Sequence, residues 1–240
     1  MPSPHLSIII PAHNEERRLP STLEQVVLFA GKQSFETEVL VIENASRDHT
    51  FEVGQAYARQ HPAIIRILHE ELPGKGRAVQ KGMLAARGHY RFFADADFSM
   101  PAAEITRFIP PHVDAPIAIA SREAPGSVRY HEPYYRHITG RIFNTLIRLL
   151  VLPALEDTQC GFKMFRADVA EDLFRRQTLM GWSFDVELLY IATRRNVPIL
   201  EIPIPWYFNP ESKVNVFRDS WRMFIDLLMI RRNGRAGLYG

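Results

Sequence analysis

A doubly wound, mainly parallel α/β sheet is predicted by three features of the sequence. Short β-branched runs alternate with helix-period stretches over roughly the first 100 residues, the pattern of strands joined by crossover helices. The runs are apolar throughout, as expected of strands covered on both faces. The polar residues able to do chemistry fall just after these runs, beyond the carboxyl ends of the strands, where open α/β sheets bind their ligands.

Taken in order, residues 6–11, with Ile8, Ile9 and Ile10 in succession, form the first strand. Asn14-Glu15-Glu16 follows it, and the apolar periodicity over 19–30 predicts a helix. Residues 38–42 form a second strand, after which Asp48-His49-Thr50 leads into a helix ending near Arg59. A third strand covers 64–69. Gly74-Lys75-Gly76 then opens a helix over 77–86, and a fourth strand over 90–94 ends at Asp95-Ala96-Asp97. The second half is less regular: a strand over 117–121, an amphipathic helix over 134–152, and a polar loop from 157 running into a short strand by 165. A helix over 184–194, a proline-broken strand over 199–205 and a last amphipathic helix over 219–231 complete the chain. No repeat or low-complexity linker divides it, so residues 1–240 are expected to form one domain.

With 46% hydrophobic residues, 15 Phe, 8 Tyr and 3 Trp, a chain of 240 residues can bury a core, which excludes a disordered chain. The longest stretch free of Asp, Glu, Lys and Arg is 1–14, which carries early prolines and no basic segment ahead of its isoleucines. Neither a spanning helix nor a secretory signal is expected. The single cysteine, Cys160, excludes a disulfide framework and a cysteine metal cluster, and points to a reduced, cytoplasmic setting. A net charge of +2 suggests no nucleic-acid partner. Positive charge gathers instead in the second half. Lys213, Arg218, Arg222, Arg231, Arg232 and Arg235 face only Asp219 and Asp226 over 212–240, and four arginines between 129 and 148 face Glu132.

Two carboxylates one residue apart, Asp95 and Asp97, repel each other unless a hard divalent cation relieves them, and Mg²⁺ or Mn²⁺ takes such oxygen ligands together with phosphates. A solvated turn yields the same triplet, but not beside other polar strand ends. Gly74-Lys75-Gly76 can set a lysine and flexible amides against a phosphate, or simply start a helix. Neither a P-loop nor a G-x-G-x-x-G fingerprint is present. Cys160 reads as a packed small residue, since no histidine is spaced beside it.

Four stretches together, residues 7–16, 41–48, Gly74-Lys75-Gly76 and Asp95-Ala96-Asp97, resemble the family 2 glycosyltransferases of GT-A fold, a Rossmann-like arrangement. Residues 157–163 (with Asp157, Gln159, Cys160, Gly161 and Lys163) and 182–189 (from Trp182 through Asp185 and Glu187) resemble the dolichyl- or polyprenyl-phosphate β-glucosyltransferase branch. The resemblance implies a nucleotide-sugar-binding half over about 1–120 and an acceptor-binding half with basic amphipathic helices over about 121–240. Pro11, Ala12, Asn14 and Glu16 would line the nucleotide pocket, with Glu16 near the ribose, while Glu43 would face the base. Lys75 would lie near the base or diphosphate, Asp95 and Ala96 beside the nucleotide sugar, and Asp95 and Asp97 would hold the metal. Ser99 stands where mannosyl relatives often carry a glutamine ligand, and Glu43-Asn44 replaces the usual paired aspartates.

Transfer in this family proceeds with inversion. A hydroxyl acceptor needs a general base, for which Asp157 or Asp185 would serve. A lipid phosphate, already anionic near neutral pH with a second pKa of about 6, needs cationic positioning instead. Arg122 and Arg136, with Arg129 as a third, match the arginines that relatives use for acceptor phosphate; Asp157 and Gln159 would then sit near the sugar. The resemblance therefore implies a metal-dependent hexosyltransferase moving glucose from UDP-glucose to polyprenyl phosphate. A GDP-mannose donor, a sugar-hydroxyl acceptor, or a nucleotide-sugar binder without turnover are the alternatives.

Ile138, Ile142, Leu146, Leu149 and Leu150 share one helical face, as do Trp221, Phe224, Leu227 and Leu228. Such stripes serve as core or, beside clustered arginines, as a surface for anionic lipid. The eukaryotic relatives carry a membrane anchor ahead of the catalytic domain and this sequence begins almost at its first strand, so peripheral attachment to the cytoplasmic membrane face is expected.

Overall fold

The structure, a computed structural model, describes residues 3–209 and 216–240, and the side chains of these apart from 216–220. Lys213 and the side chains of Arg218 and Asp219, part of the basic cluster read from the sequence, lie outside the described residues.

Strand and helix alternate as expected through the first half: β1 (Leu6–Ala12), α1 (Leu19–Gly31), β2 (Thr37–Asn44), α2 (Thr50–Gln60), β3 (Ile65–Glu70), α3 (Lys75–Ala85) and β4 (Tyr90–Ala94). A 3₁₀ segment, Ala102–Phe108, leads to β5 (Ile117–Ser121) and β6 (Val128–Tyr130). There follow α4 (Tyr134–Leu150), β7 (Phe162–Arg166), α5 (Ala167–Arg176), α6 (Phe184–Arg194), β8 (Ile199–Pro203), β9 (Pro205–Tyr207) and α7 (Val216–Arg235). The sequence pattern did not reveal α5 or β6, and Pro205 starts a separate short strand rather than ending β8.

Seven strands form one sheet in the order β3-β2-β1-β4-β7-β5-β8. All are parallel except β7, which runs antiparallel between β4 and β5. The connection direction reverses between β1 and β4, so the ends of these two strands open the crevice in which such sheets bind ligands. Side chains alternate between two cores as period-2 geometry requires. Ile9, Leu40, Ile42, Phe93 and Phe165 pack under α3, α5 and α6, whereas Ile8, Ile10, Val39, Val41 and Phe92 pack under α1 and the 3₁₀ segment.

The long second-half helices are less buried. In α4 only Ile147 is buried, and Tyr134, Tyr135, Ile138, Ile142 and Leu149 are exposed. In α7, Met223, Leu227 and Ile230 face the core while Trp221, Ile225 and Leu228 face outward. The stripe read from the sequence is thus divided, with Leu227 in the core and Trp221 and Leu228 exposed. The two helices pack on one another, and no helix among the described residues is long and apolar enough to cross a membrane.

Candidate active site

A cavity of about 850 Å³ opens over the carboxyl ends of β1 and β4 and extends to α4 and α7, within the size range of small-molecule sites. Its walls contain Pro11, Ala12, Asn14, Lys75, Asp95, Ala96 and Asp97 from the first half, and Arg122, Arg129, Arg136, Asp157, Gln159 and Asp185 from the second. Most residues singled out in the sequence thus share one space.

Two do not. Glu43 is buried away from the cavity, its Oε1 accepting the Ser46 N–H at 2.5 Å while its Oε2 engages the His69 ring. Glu16 turns to the other side, where its Oε2 accepts the His49 N–H at 3.1 Å. The cause is local. Asn14 sits in the left-handed region (φ 53°), and this turn places Glu15, not Glu16, on the cavity wall. Glu15 is held there by Arg18 through two 2.7 Å hydrogen bonds.

Asn44 also has a structural task that an aspartate could not perform. Its Nδ2 donates to the carbonyls of Leu72 (2.7 Å) and Glu70 (3.3 Å), and its Oδ1 accepts the Gly74 N–H at 2.9 Å. A carboxylate has no proton for those carbonyls. The amide thereby fixes the turn that presents Lys75. Gly74 completes the turn at φ 150°, with the Met180 carbonyl where a Cβ would stand.

At the end of β4 the chain bends through Phe98, a buried aromatic at φ 43°, in a conformation that costs on the order of 1–3 kcal/mol and collects at functional sites. The bend aims Asp95 and Asp97 into the cavity. Lys75 Nζ lies 2.6 Å from Asp95 Oδ1 and over the rings of Phe93 and Trp182. Asp97 Oδ1 accepts the hydroxyl and the N–H of Ser99 at 3.0 and 3.3 Å, so Ser99 orients this carboxylate. Gly161 lies flat against Asp95: a Cβ there would fall 1.8 Å from its Oδ2.

Charge in this region does not balance. Three carboxylates, Asp95, Asp97 and Asp185, face two ammonium groups, Lys75 and the fully buried Lys163, whose Nζ reaches Asp185 at 3.2 Å and the Cys160 carbonyl at 2.5 Å. Burial and the neighbouring Asp95 push the Asp97 carboxyl above its usual pKa, although Ser99 and Lys75 pull the other way. Burial likewise raises Asp185, against the pull of Lys163 and Lys75. Lys75 is desolvated, yet Asp95 raises its pKa and keeps it charged. An excess of one carboxylate, all hard oxygen donors, with Asp97 and Asp185 both resisting ionisation, fits a divalent cation. Asp95 and Asp97 are the residues that would hold it. No cluster of three or more such side chains with metal-ligand geometry occurs among the described residues, so substrate oxygens and water would have to complete the shell.

Asp157 differs from the expectation of a base. Its Oδ2 accepts Arg122 Nε at 2.7 Å and the Arg122 N–H at 3.0 Å; its Oδ1 accepts Arg122 Nη2 at 3.0 Å and the Gln159 N–H at 3.2 Å. Four donors occupy the lone-pair sites of one carboxylate. Burial opposes its ionisation, but Arg122 holds its pKa at about 2, and the arginine is raised in return. Glu201 fixes the loop from below, its two carboxylate oxygens accepting the N–H groups of Glu156 and Asp157. Cys160 is buried and its thiol is pushed up to about 12, which rules out nucleophilic chemistry near neutral pH.

Sequence reasoning missed Lys163 as an ion-pair partner, Trp182 as a cavity wall, and Arg222 and Met223 of α7. Trp182 and Lys163 lay inside recognised motifs, but nothing in the spacing showed where they point.

The crevice at the sheet switch point carries a D-x-D turn beside a lysine, and the family model of Glycosyl transferase family 2 matches residues 7–174. The chain belongs to that family and is a glycosyltransferase, similar to its dolichyl-phosphate β-glucosyltransferase branch. The dolichyl-phosphate beta-glucosyltransferase of Drosophila melanogaster is 37% identical over 95% of this chain and 75% of its own length. That of Homo sapiens is 31% identical, over 99% and 78% respectively. Among solved structures, Mycobacterium tuberculosis glucosyl-3-phosphoglycerate synthase in complex with Mn²⁺, UDP-glucose and phosphoglyceric acid superposes with a TM-score of 0.68. It has 16% identity and covers 95% of this chain and 79% of that one, a likeness of fold.

Proposed function

We propose that the protein transfers glucose from UDP-glucose to a dolichyl or polyprenyl phosphate. The observation carrying this reading is the pairing of two sites in one cavity: a carboxylate–lysine end suited to a nucleoside diphosphate and an arginine-lined end suited to a phosphate. The names of the Drosophila and human relatives support the same donor sugar and acceptor.

In this reading residues 1–120 bind the donor and residues 121–240 the acceptor. Pro11, Ala12 and Asn14 border the nucleoside, and Lys75 neutralises the diphosphate. Gln159 and Asp185 border the hexose. A bound Mg²⁺ or Mn²⁺ at Asp95 and Asp97 would neutralise charge on the departing diphosphate. One acceptor phosphate oxygen forms a bond to the anomeric carbon as the bond from that carbon to the diphosphate oxygen breaks, UDP leaves with the electron pair, and the configuration inverts. No side chain has to remove a proton, because the acceptor is already anionic. That agrees with Asp157 having no free lone pair. For a hydroxyl acceptor the base would have to be Asp185, whose raised pKa suits the task better.

Donor choice is tested by offering UDP-glucose and GDP-mannose together. Glucosyl lipid alone is expected, and mannosyl lipid as the main product would overturn the choice of donor.

The acceptor is a lipid, so the exposed apolar faces of α4 and α7 are read as a membrane-docking surface. Ile138, Ile142 and Leu149 on one helix and Trp221, Ile225 and Leu228 on the other stand beside Arg141, Arg148 and Arg232, with Tyr130 and Tyr207 stacked at 4.6 Å nearby in sequence to α4 and α7. Binding to vesicles containing anionic lipid is expected to fall as salt rises and to be lost in Ile142→Asp/Trp221→Asp. Salt-independent or absent binding would contradict the membrane reading.

A further inference from the structure

We infer that Glu187 is a positioning residue for the donor site: its buried carboxylate, joined to Tyr239 beyond α7, holds the 177–182 loop against the start of α3 and so sets Lys75 where the donor diphosphate binds. The inference rests on the diphosphate contact proposed for Lys75 and assigns the support beneath it.

Glu187 lies on the first turn of α6 and is fully buried. Four donors fill its lone-pair sites. Oε2 accepts the N–H groups of Thr178 at 3.0 Å and Leu179 at 2.8 Å, while Oε1 accepts the Thr178 hydroxyl and, at 2.7 Å, the Tyr239 hydroxyl. Among the described residues no cation pairs with this carboxylate, and one buried so deeply is tolerated only with such donors in place. Burial and the Glu187 carboxylate push the Tyr239 phenol above its usual pKa, so it stays a donor.

Helix α7 completes the grip. Asn233 Nδ2 donates to the hydroxyls of Thr178 and Tyr239, both at 3.3 Å, and just past the loop Ser183 donates to Asp226 at 2.7 Å. Gly234 lets α7 lie this close to α6, since a Cβ there would fall 2.5 Å from the Tyr190 hydroxyl oxygen.

The loop held in this way is the seat of Gly74-Lys75-Gly76. The Gly181 and Met180 carbonyls accept the N–H groups of Gly76 and Arg77, both at 3.3 Å, and Gln177 Nε2 donates back to the Gly76 carbonyl at 3.0 Å. A Cβ on Gly76 would fall 2.6 Å from Phe184 Cβ and 2.9 Å from the Leu179 carbonyl oxygen, so this residue must be small for the loop to fit. These two amides of the first turn of α3 are therefore taken by the loop, and the charge offered to a diphosphate is the Lys75 ammonium. That ammonium rests over Trp182 of the loop at 5.2 Å and over Phe93 at 5.3 Å. A shift of the loop moves both the backbone and the ring that support Lys75.

The test measures UDP affinity of the full chain calorimetrically in Mn²⁺ without acceptor, and donor and acceptor KM in the transfer assay. Glu187→Ala is expected to weaken UDP binding and raise the UDP-glucose KM by ~10-fold, with the acceptor KM unchanged within about twofold. Glu187→Gln keeps one acceptor oxygen and is expected to recover part of the loss. Tyr239→Phe removes one hydroxyl from the network and is expected to weaken UDP binding about two- to threefold. These two milder variants carry the test if Glu187→Ala does not fold. In Lys75→Ala, adding Glu187→Gln is expected to weaken UDP binding no further, because the group it positions is gone. Val26→Ala, in the core under α1, is the control: a lower Tm with unchanged UDP affinity is expected. Unchanged UDP affinity in Glu187→Gln and Tyr239→Phe overturns this inference alone, as does an effect of Glu187→Gln that persists in full in Lys75→Ala. An equal rise in donor and acceptor KM, or an equal loss of UDP affinity in Val26→Ala, also overturns it. Failure of the wild-type chain to bind UDP overturns the proposed donor and this assignment with it.

Discussion

Asp97→Asn is expected to reduce transfer by roughly 10²- to 10³-fold or more, the scale of removing a group that stabilises developing charge, and at the same time to raise Tm in chelator. The two effects have one cause. Asp97 is desolvated and stands beside Asp95, so its carboxyl is harder to ionise in the folded protein than in the unfolded chain. A folded pKa raised above the unfolded value makes ionisation a penalty to folding, absent below the unfolded pKa and complete once pH exceeds the folded pKa. Above the folded pKa the penalty is complete. Asparagine removes it, and its Oδ1 can still accept both hydrogen bonds from Ser99. Function therefore holds the site at a cost in stability, as is common where charge is arranged for catalysis. Thermal unfolding with and without Mn²⁺, alongside the transfer rate, checks both halves. A variant that loses Tm in chelator, or one that keeps its activity, would count against the role given to Asp97.

Asp157→Ala is expected to destabilise the protein by about 3 kcal/mol, because it leaves the Arg122 side chain, only 23% exposed, without its partner. The remaining folded protein should also use prenyl phosphate poorly, since the 121–124 turn and the 156–159 loop are joined through this carboxylate. The pH dependence of stability follows from the direction of the shift. Asp157 is lowered from 3.8 to about 2, so its contribution is present above the unfolded value and is lost as pH falls from 3.8 toward 2. Denaturant titrations across that window should show a drop that Asp157→Asn lacks. If Asp157 were instead the catalytic base, Asp157→Asn would keep full stability while losing turnover and the acidic limb of the pH–rate profile.

The fold was legible because the buried strands of the first half announce themselves. Runs such as Ile8-Ile9-Ile10 and Val39-Leu40-Val41-Ile42 must be buried on both faces, and polar residues directly after them mark the ligand edge. The reversal of β7 was not legible, because Phe162 to Met164 has the same composition whichever way the strand runs. Within the site, residues that needed only a place could be read: Lys75, Asp95 and Asp97 all border the cavity. Residues whose meaning depends on a partner could not. Asp157 looked like a free carboxylate, and Glu16 like the natural neighbour of Asn14 until the left-handed turn moved Glu15 into its place. Arg122, Arg129, Arg136 and Arg222 are alike as letters. Among the described residues only the first two have carboxylate partners, Asp157 for Arg122 and Glu123 and Glu132 for Arg129.

The central claim is tested most directly by incubating the protein with UDP-glucose, a short polyprenyl phosphate and Mn²⁺ and identifying the product's anomeric configuration. The account predicts a β-glucosyl polyprenyl phosphate whose formation stops on chelation. Glucose transferred only to hydroxyl acceptors or to water, with no prenyl-linked product, would contradict it.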